Sequence, residues 1–378
     1  MSKILTGIIS AIVALSVSLT FMLGCGNPVN DTEYKVYDNV ILFIGDGMGE
    51  NHLEAAKQKL GIDLNMETFP VRGQSMTNSI LRITTDSAAG GSALSSGMKT
   101  INGYVGVSAF DPTASIIKPV LLTEAAISLG KSAGVVTTDF TTGATPASFS
   151  SHTSSRGNDA DISRQQLESD LTLIWGGADE NITPENAAEN GFTYVQSISD
   201  IEALSSGERS FGQFNYGELK TVQNTEVTPT IGTMTKSAID ILDDNENGFF
   251  LMVEGAQIDK YCHDKELDNA VVQLAELDKA VKAALDYAKE DGSTLVVVTA
   301  DHETGGVTYS EIQGGYYCTI GSHTSSNVPL FVSDEAAGFE NGVAYENRDI
   351  SCQLALCLGM EKGAFPACVP VLGKKEEV

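Results

Sequence analysis

A hydroxyl that attacks an electrophile needs a way to lose its proton, a positive field for the incoming anion, and open space. Residues 84–91, Thr-Thr-Asp-Ser-Ala-Ala-Gly-Gly, offer Ser87 as such a hydroxyl, with Asp86 beside it and small residues after it. At the mouth of a small-residue helix, free backbone N–H groups face whatever approaches and favour an anion. Taken alone, Asp-Ser before Ala and Gly is equally an ordinary helix cap. The carboxylates and imidazoles elsewhere in the chain decide between the two.

Those groups fall in short clusters, each just past an apolar run. Val40-Ile41-Leu42-Phe43-Ile44 ends in Gly45-Asp46-Gly47. Gly248 to Val253 ends in Glu254, with Asp259 and His263 beyond, and Ser293 to Thr299 ends in Asp301-His302. His323 follows in Gly321-Ser322-His323-Thr324. Short continuous apolar runs are the pattern of strands buried in a parallel sheet, and open α/β sheets bind ligands beyond the carboxyl ends of their strands. One acid at a strand end is an ordinary helix cap. Three such ends, with three of the chain's five histidines, point to metal sites.

Zinc takes imidazole nitrogen and carboxylate oxygen, whereas magnesium prefers carboxylates, hydroxyls and water. Asp259 and His263, four residues apart, can grip one ion with His323 completing the set. Asp301 and His302 with Asp46 can hold a second, leaving a position for the Ser87 oxygen. Glu254 has no imidazole neighbour and suits Mg²⁺. Two metals side by side clamp the attacking and leaving oxygens of an in-line phosphoryl displacement. A metal-bound serine is deprotonated near neutral pH and needs no histidine base.

The elements that must position these groups alternate along the chain. Helical patterns cover Leu121 to Leu129, Ile162 to Ser169, Pro184 to Glu189, Thr235 to Leu242 and Leu267 to Lys289, the last with apolar residues at three-four spacing. Strand patterns cover Ala133 to Thr138 and the segment at Leu171, after which Trp175 reads as a strand-end core residue. This predicts an α/β fold, a central mainly parallel sheet with helices on both faces. Residues 200–230, rich in Ser, Gly and Asn, read as an insertion, and 307–320 as a Gly- and Tyr-rich excursion before His323.

Seven segments in order resemble the alkaline phosphatase family. They are Ile44-Gly45-Asp46-Gly47-Met48-Gly49, Thr85-Asp86-Ser87-Ala88-Ala89, Gly97-Met98-Lys99-Thr100-Ile101-Asn102-Gly103, Ala144-Thr145-Pro146-Ala147, His152 through Arg156, Val253-Glu254-Gly255-Ala256-Gln257-Ile258-Asp259, and Thr299-Ala300-Asp301-His302-Glu303-Thr304-Gly305-Gly306. The resemblance runs from residue 39 to about 335. It implies hydrolysis of phosphate monoesters with two Zn²⁺ and one Mg²⁺. It makes Ser87 the nucleophile that forms a phosphoseryl intermediate, Arg156 the grip on two phosphate oxygens, and Asp86 the acid that orients Arg156. Asp259, His263 and His323 match one zinc site, and Asp46, Asp301 and His302 the other. Asp46 would bridge to magnesium, with Thr145 and Glu254 as its other protein ligands. Lys260 falls where some members carry a lysine that contacts phosphate through water. Many members pair, so a homodimer is the implied assembly.

One position departs. Two residues before Thr145, where relatives often place Asp or His near the magnesium, this chain has Gly143. A glycine offers no ligand and holds no metal-bound water, which predicts weaker magnesium retention. His52 reads as a surface or cap residue, His152 as a residue that packs the segment leading to Arg156, and Cys262 as packing or a disulfide partner.

Residues 1–24 carry one charge, Lys3, before an apolar stretch from Ile4 to Leu23. That is a secretion signal by composition. Phe21-Met22-Leu23-Gly24-Cys25 resembles a bacterial lipoprotein cleavage site, which makes Cys25 the lipid anchor and the polar residues up to 38 a tether. The protein is then periplasmic or on the cell surface, with residues 39–378 as a single catalytic domain. Lipidation of one of six cysteines leaves an odd number, so at least one thiol stays free.

The net charge of -27, from 50 acidic and 23 basic residues, argues against nucleic acid as a stable partner. Small anionic esters still fit, because divalent ions with Arg156 and Lys260 reverse the field locally. Two other readings stand beside the monoesterase. A related two-metal phosphodiesterase or nucleotide pyrophosphatase would use the same core, but Arg156 and the Thr145–Glu254 site suit a terminal phosphate with two charges. A surface lipoprotein that binds metal or phosphate without turnover would have lost Ser87.

Overall fold

The computed structural model describes residues 34–109, 115–216, 228–366 and 368–370. The expected signal segment, Cys25 and the first part of the tether lie outside the described residues. The last of the tether is docked: Tyr37 is buried and its N–H donates to Cys357 O at 2.8 Å.

Ten strands form one sheet in the order Ala344–Glu346, Val71–Met76, Val328–Val332, Thr294–Thr299, Asn39–Gly45, Phe249–Gly255, Ser132–Phe140, Leu173–Ala178, Ser210–Tyr216 and Thr193–Val195. Every pairing is parallel except those of Val328–Val332, which runs against both its neighbours. The three central strands are buried at every position because both faces are covered, and all but a few of their residues are apolar. Along Asn39–Gly45, Ile41 and Phe43 enter one core with Leu53, Val271 and Leu274, while Val40, Leu42 and Ile44 enter the other with Leu122, Ala125 and Leu354. The helices Glu50–Leu60, Ile231–Leu242 and Leu267–Asp291 line the first core, and Leu122–Ser128 and Asn347–Cys357 the second. Each large aliphatic side chain so buried contributes about 1.5–3 kcal/mol.

Register brings the chemistry together. Ile44 pairs with Glu254 on one side and with Thr299 on the other, so three parallel strands end level. Asp46, Glu254 and Asp301 therefore emerge side by side at the carboxyl edge.

The helices follow the sequence patterns, with shifts at the ends. Thr230 caps Ile231–Leu242 by accepting from Thr233 N at 3.2 Å, which starts that helix earlier than its apolar pattern. Residues 200–230 depart from expectation. They are not a mere insertion, because Ser210–Tyr216 is a strand of the central sheet. Its small and polar residues serve packing: Trp175, inside its strand rather than at the end, donates from Nε1 to Ser210 Oγ at 3.0 Å and meets the Phe214 ring edge-on at 6.3 Å. A Cβ on Gly212 would lie 2.7 Å from the indole. The 307–320 excursion is a hairpin of Val307–Ser310 and Gly315–Cys318.

Trp175→Ala is expected to cost about 3–5 kcal/mol through the cavity left in this layer. The shift in denaturant midpoint, read as ΔΔG at constant slope, checks it.

Candidate active site

Ser87 is the first residue of the helix Ser87–Ser96, and Asp86 is its cap. Asp86 Oδ1 accepts from Ala89 N at 3.0 Å, while Oδ2 accepts from Gly103 N at 2.9 Å and from Arg156 Nη1 at 3.2 Å. One carboxylate thus ends the helix, ties down the following loop and aims the guanidinium. Arg156 is half-exposed, with its fork open to solvent. The small residues after Ser87 are required by close approach: a Cβ on Gly90 would lie 2.8 Å from Asp301 O, and one on Gly91 2.6 Å from Ser148 Oγ. The helix is pressed against the ligand-bearing loop and the short helix Ala144–Ser148.

Among the described residues, two groups of metal-ligating atoms each lie within 4.8 Å of one another: Asp46, Asp301 and His302, and Asp259, His302 and His323. His302 Nε2 is 3.5 Å from Asp46 Oδ1 and 3.2 Å from both Asp301 Oδ2 and Ser87 Oγ. His263 joins the second group, its Nε2 lying 3.3 Å from Asp259 Oδ2 and 3.1 Å from His323 Nε2. The two sets expected from sequence are therefore both assembled. Sequence spacing did not reveal that His302 belongs to each; it stacks on His323 with ring centroids 3.6 Å apart.

Hydrogen bonds behind the rings fix their tautomers. His263 Nδ1 meets Gly321 O at 3.0 Å and His323 Nδ1 meets Thr85 O at 2.9 Å; carbonyls only accept, so both Nδ1 atoms carry the proton. The Thr304 hydroxyl gives its hydrogen to Asp259 and so accepts from His302 Nδ1 at 3.2 Å. All three Nε2 atoms are left to face the same space, the arrangement that metal-binding histidines use. Thr304, two residues past His302, thus supports both that ring and Asp259 without facing the ligand space itself.

Glu254 lies next to these groups. It accepts a hydrogen bond from the Thr137 hydroxyl and faces Thr145 and Asp46. Lys260 is tied to the same region, its Nζ 3.4 Å from Asp139 Oδ2.

Burial and mutual repulsion raise the acids. Burial, then Asp139, pushes Glu254 up to about 8. Burial, then Asp259, pushes Asp301 to about 7, and burial with Asp301 lifts Asp46 well above the usual carboxylate range. Burial works against Asp259 too, but the His263 hydrogen bond and the His302 charge hold it low. Burial and His323 bring His302 down to about 3, whereas the bond to Asp259 lifts His263 to about 9. Asp46 Oδ1 and Asp301 Oδ2 are buried and accept no hydrogen bond. Crowded carboxylates, bare imidazole nitrogens and unsatisfied oxygens fit divalent cations.

Three other residues gain definite places. His52 is buried, not at the surface: its Nδ1 accepts from Gly49 N at 3.1 Å and so caps a helix, and its Nε2 is 3.2 Å from Cys262 Sγ. Cys262 and Cys318 are free buried thiols beside one another, while Cys352 is disulfide-bonded. His152 anchors the approach to Arg156 through Gly106 O at 2.5 Å and Glu124 Oε1 at 3.0 Å.

A family profile described as "Alkaline phosphatase" matches residues 37–172 and 176–348. The chain belongs to the alkaline phosphatase family. It is 36% identical over 293 residues to alkaline phosphatase 4 of Bacillus subtilis (strain 168), a match covering 71% of this chain and 62% of that protein. Escherichia fergusonii alkaline phosphatase is 30% identical over 343 residues, covering 72% of this chain and 71% of that one. This chain spans under two thirds of the length of two Bacillus subtilis relatives, 62% and 64%. The structure of alkaline phosphatase from the Antarctic bacterium TAB5 superposes with a TM-score of 0.74 at 31% identity, covering 86% of this chain and 99% of that one. A TAB5 mutant with Mg bound in its M3 site superposes equally, TM-score 0.74 at 30% identity, over 87% of this chain and 100% of that one.

The raised groups give the metal-free protein a pH signature. Above about pH 6.5, where an unfolded histidine has lost its proton, the folded chain still carries protons that the unfolded chain has released, and gives them up in turn from Asp301 near 7, Glu254 near 8 and His263 near 9. With more protons bound in the folded state, stability falls as pH rises through this window. The melting temperature of chelator-treated protein is expected to drop from pH 6.5 to 9 and to recover on restoring Zn²⁺ and Mg²⁺. Circular dichroism melts at stepped pH check it.

Proposed function

We propose that the protein hydrolyses small phosphate monoesters to an alcohol and inorganic phosphate, through a phosphoserine at Ser87, with two Zn²⁺ and one Mg²⁺. The observation that carries this reading is Ser87 Oγ, at a helix N-terminus and 3.2 Å from the His302 nitrogen common to both ligand groups. Asp259, His263 and His323 would hold one zinc; Asp46, Asp301 and His302, with Ser87 Oγ, the other; and Asp46, Thr145 and Glu254 the magnesium. Bound there, the ions supply positive charge that lowers the Ser87 hydroxyl pKa and offsets charge on the leaving oxygen.

The chain's own groups do the rest. Ser87 Oγ attacks phosphorus while the bond to the ester oxygen breaks on the opposite side, and its electron pair leaves with the alcohol. A water then attacks the same phosphorus, and Ser87 departs with the pair it had shared, freeing inorganic phosphate. The helix N-terminus favours the anion throughout. Arg156 presents a planar fork to two non-bridging oxygens, and Asp86 sets its angle. A monoester offers that fork two charges where a diester offers one, which favours monoesters. Recognition centres on the phosphate, so the specificity is broad. The same reading has the enzyme exported and held by lipid at Cys25, and paired as a homodimer.

Initial rates on a chromogenic monoester at alkaline pH test the proposal. Turnover is expected with Zn²⁺ and Mg²⁺ present, lost after EDTA, and reduced about a thousandfold or more in Ser87→Ala. Arg156→Ala removes charge-assisted hydrogen bonds worth about 1.5–3 kcal/mol, so KM is expected to rise roughly 10- to 100-fold. Faster turnover of a diester than of a monoester would overturn the assignment.

A further inference from the structure

Asp139 is a buried acid to which the mechanism assigns no task. It leaves the strand Ser132–Phe140 where the register against Leu173–Ala178 shifts between Val136 and Phe140. Such bulges re-aim a side chain. Gly176 on the neighbouring strand makes room for it, since a Cβ there would lie 2.6 Å from Thr137 Cγ2 and 3.0 Å from Asp139 O. Re-aimed, Asp139 places Oδ2 3.4 Å from Lys260 Nζ. Its charge is the strongest one acting on Glu254.

Gly143 explains how the carboxylate reaches that point. A Cβ at 143 would lie 2.5 Å from Asp139 Oδ2. The backbone does not ask for glycine there, because φ is -51°, a value any residue adopts. The glycine is needed for the space, and Asp139 occupies the space. Mg²⁺ keeps several waters when bound by few carboxylates, and those waters need acceptors held in place.

We infer that Asp139 is a positioning residue of the magnesium pocket: from the bulge, through the room left by Gly143, it holds Lys260 against the pocket and accepts hydrogen bonds from the waters of the cation. The inference rests on the reading of Asp46, Thr145 and Glu254 as that pocket. It replaces the weak retention expected from Gly143 with retention that depends on Asp139. The two positions act as one, so an acid moved from 139 to 143 restores part of what is lost.

Calorimetric titration of the zinc-loaded protein with Mg²⁺, without substrate, tests this independently of turnover. Asp139→Asn, which keeps the shape and removes the charge, is expected to weaken Mg²⁺ binding roughly 10- to 100-fold. Gly143→Asp alone crowds Asp139 and weakens binding too, while Asp139→Ala with Gly143→Asp binds more tightly than Asp139→Ala alone. Glu254→Gln is the reference and is expected to abolish the titration. A Mg²⁺ affinity unchanged in Asp139→Asn but lost in Glu254→Gln would overturn the inference and leave the pocket standing. So would a double variant no tighter than Asp139→Ala. An affinity retained in Glu254→Gln would overturn the pocket and the inference with it, whatever the esterase assay gave.

Discussion

Buried carboxylates that repel one another are the constraint on which the rest of this molecule depends. Asp46, Asp301 and Glu254 are withdrawn from water at the ends of three adjacent strands, and each carboxyl is driven toward its protonated form by burial first and by its neighbours second. A chain does not adopt such an arrangement for its own stability. Two apolar cores, one on each sheet face, hold the strand ends level against that repulsion. Divalent cations convert the same crowding into a favourable field, so the feature that strains the metal-free protein is what would retain the ions.

The imidazoles are held in a complementary way. Each turns its Nδ1–H to a fixed acceptor and its Nε2 inward, and the acceptors come from separate stretches of chain: Gly321, Thr85 and Thr304. Thr85 lies two residues before Ser87, so the strut that orients His323 belongs to the segment that carries that serine. Asp86 plays the same double part on the other side, joining the helix start to Arg156. The Ser87 hydroxyl and the groups around it are thus fixed relative to one another by shared supports.

Much of this was legible in the sequence because of where it lies. Acids that follow continuous apolar runs announce themselves, and parallel pairing fixes which strand ends meet. Asp86-Ser87 before small residues is readable as a cap, and the two ligand sets formed as their spacing allowed. Other features depend on register or on distant contacts and left no local trace. Asp139 reads as one more polar residue after a strand until the bulge turns it. Ser210–Tyr216 looks like loop because the bulk it packs against, Trp175, is supplied by the neighbouring strand. His52 looks exposed near the start of a helix, yet its Nε2 meets Cys262, 210 residues away.

His302 has a consequence for how the centre fills. Its Nε2 lies within reach of both ligand groups, but an imidazole has one lone pair there to give. An ion that takes it changes what remains for the other. Thermodynamic linkage makes the effect mutual: whatever factor the first ion imposes on the second, the second imposes on the first. Two ions held there would therefore load as a coupled pair rather than saturate as independent wells.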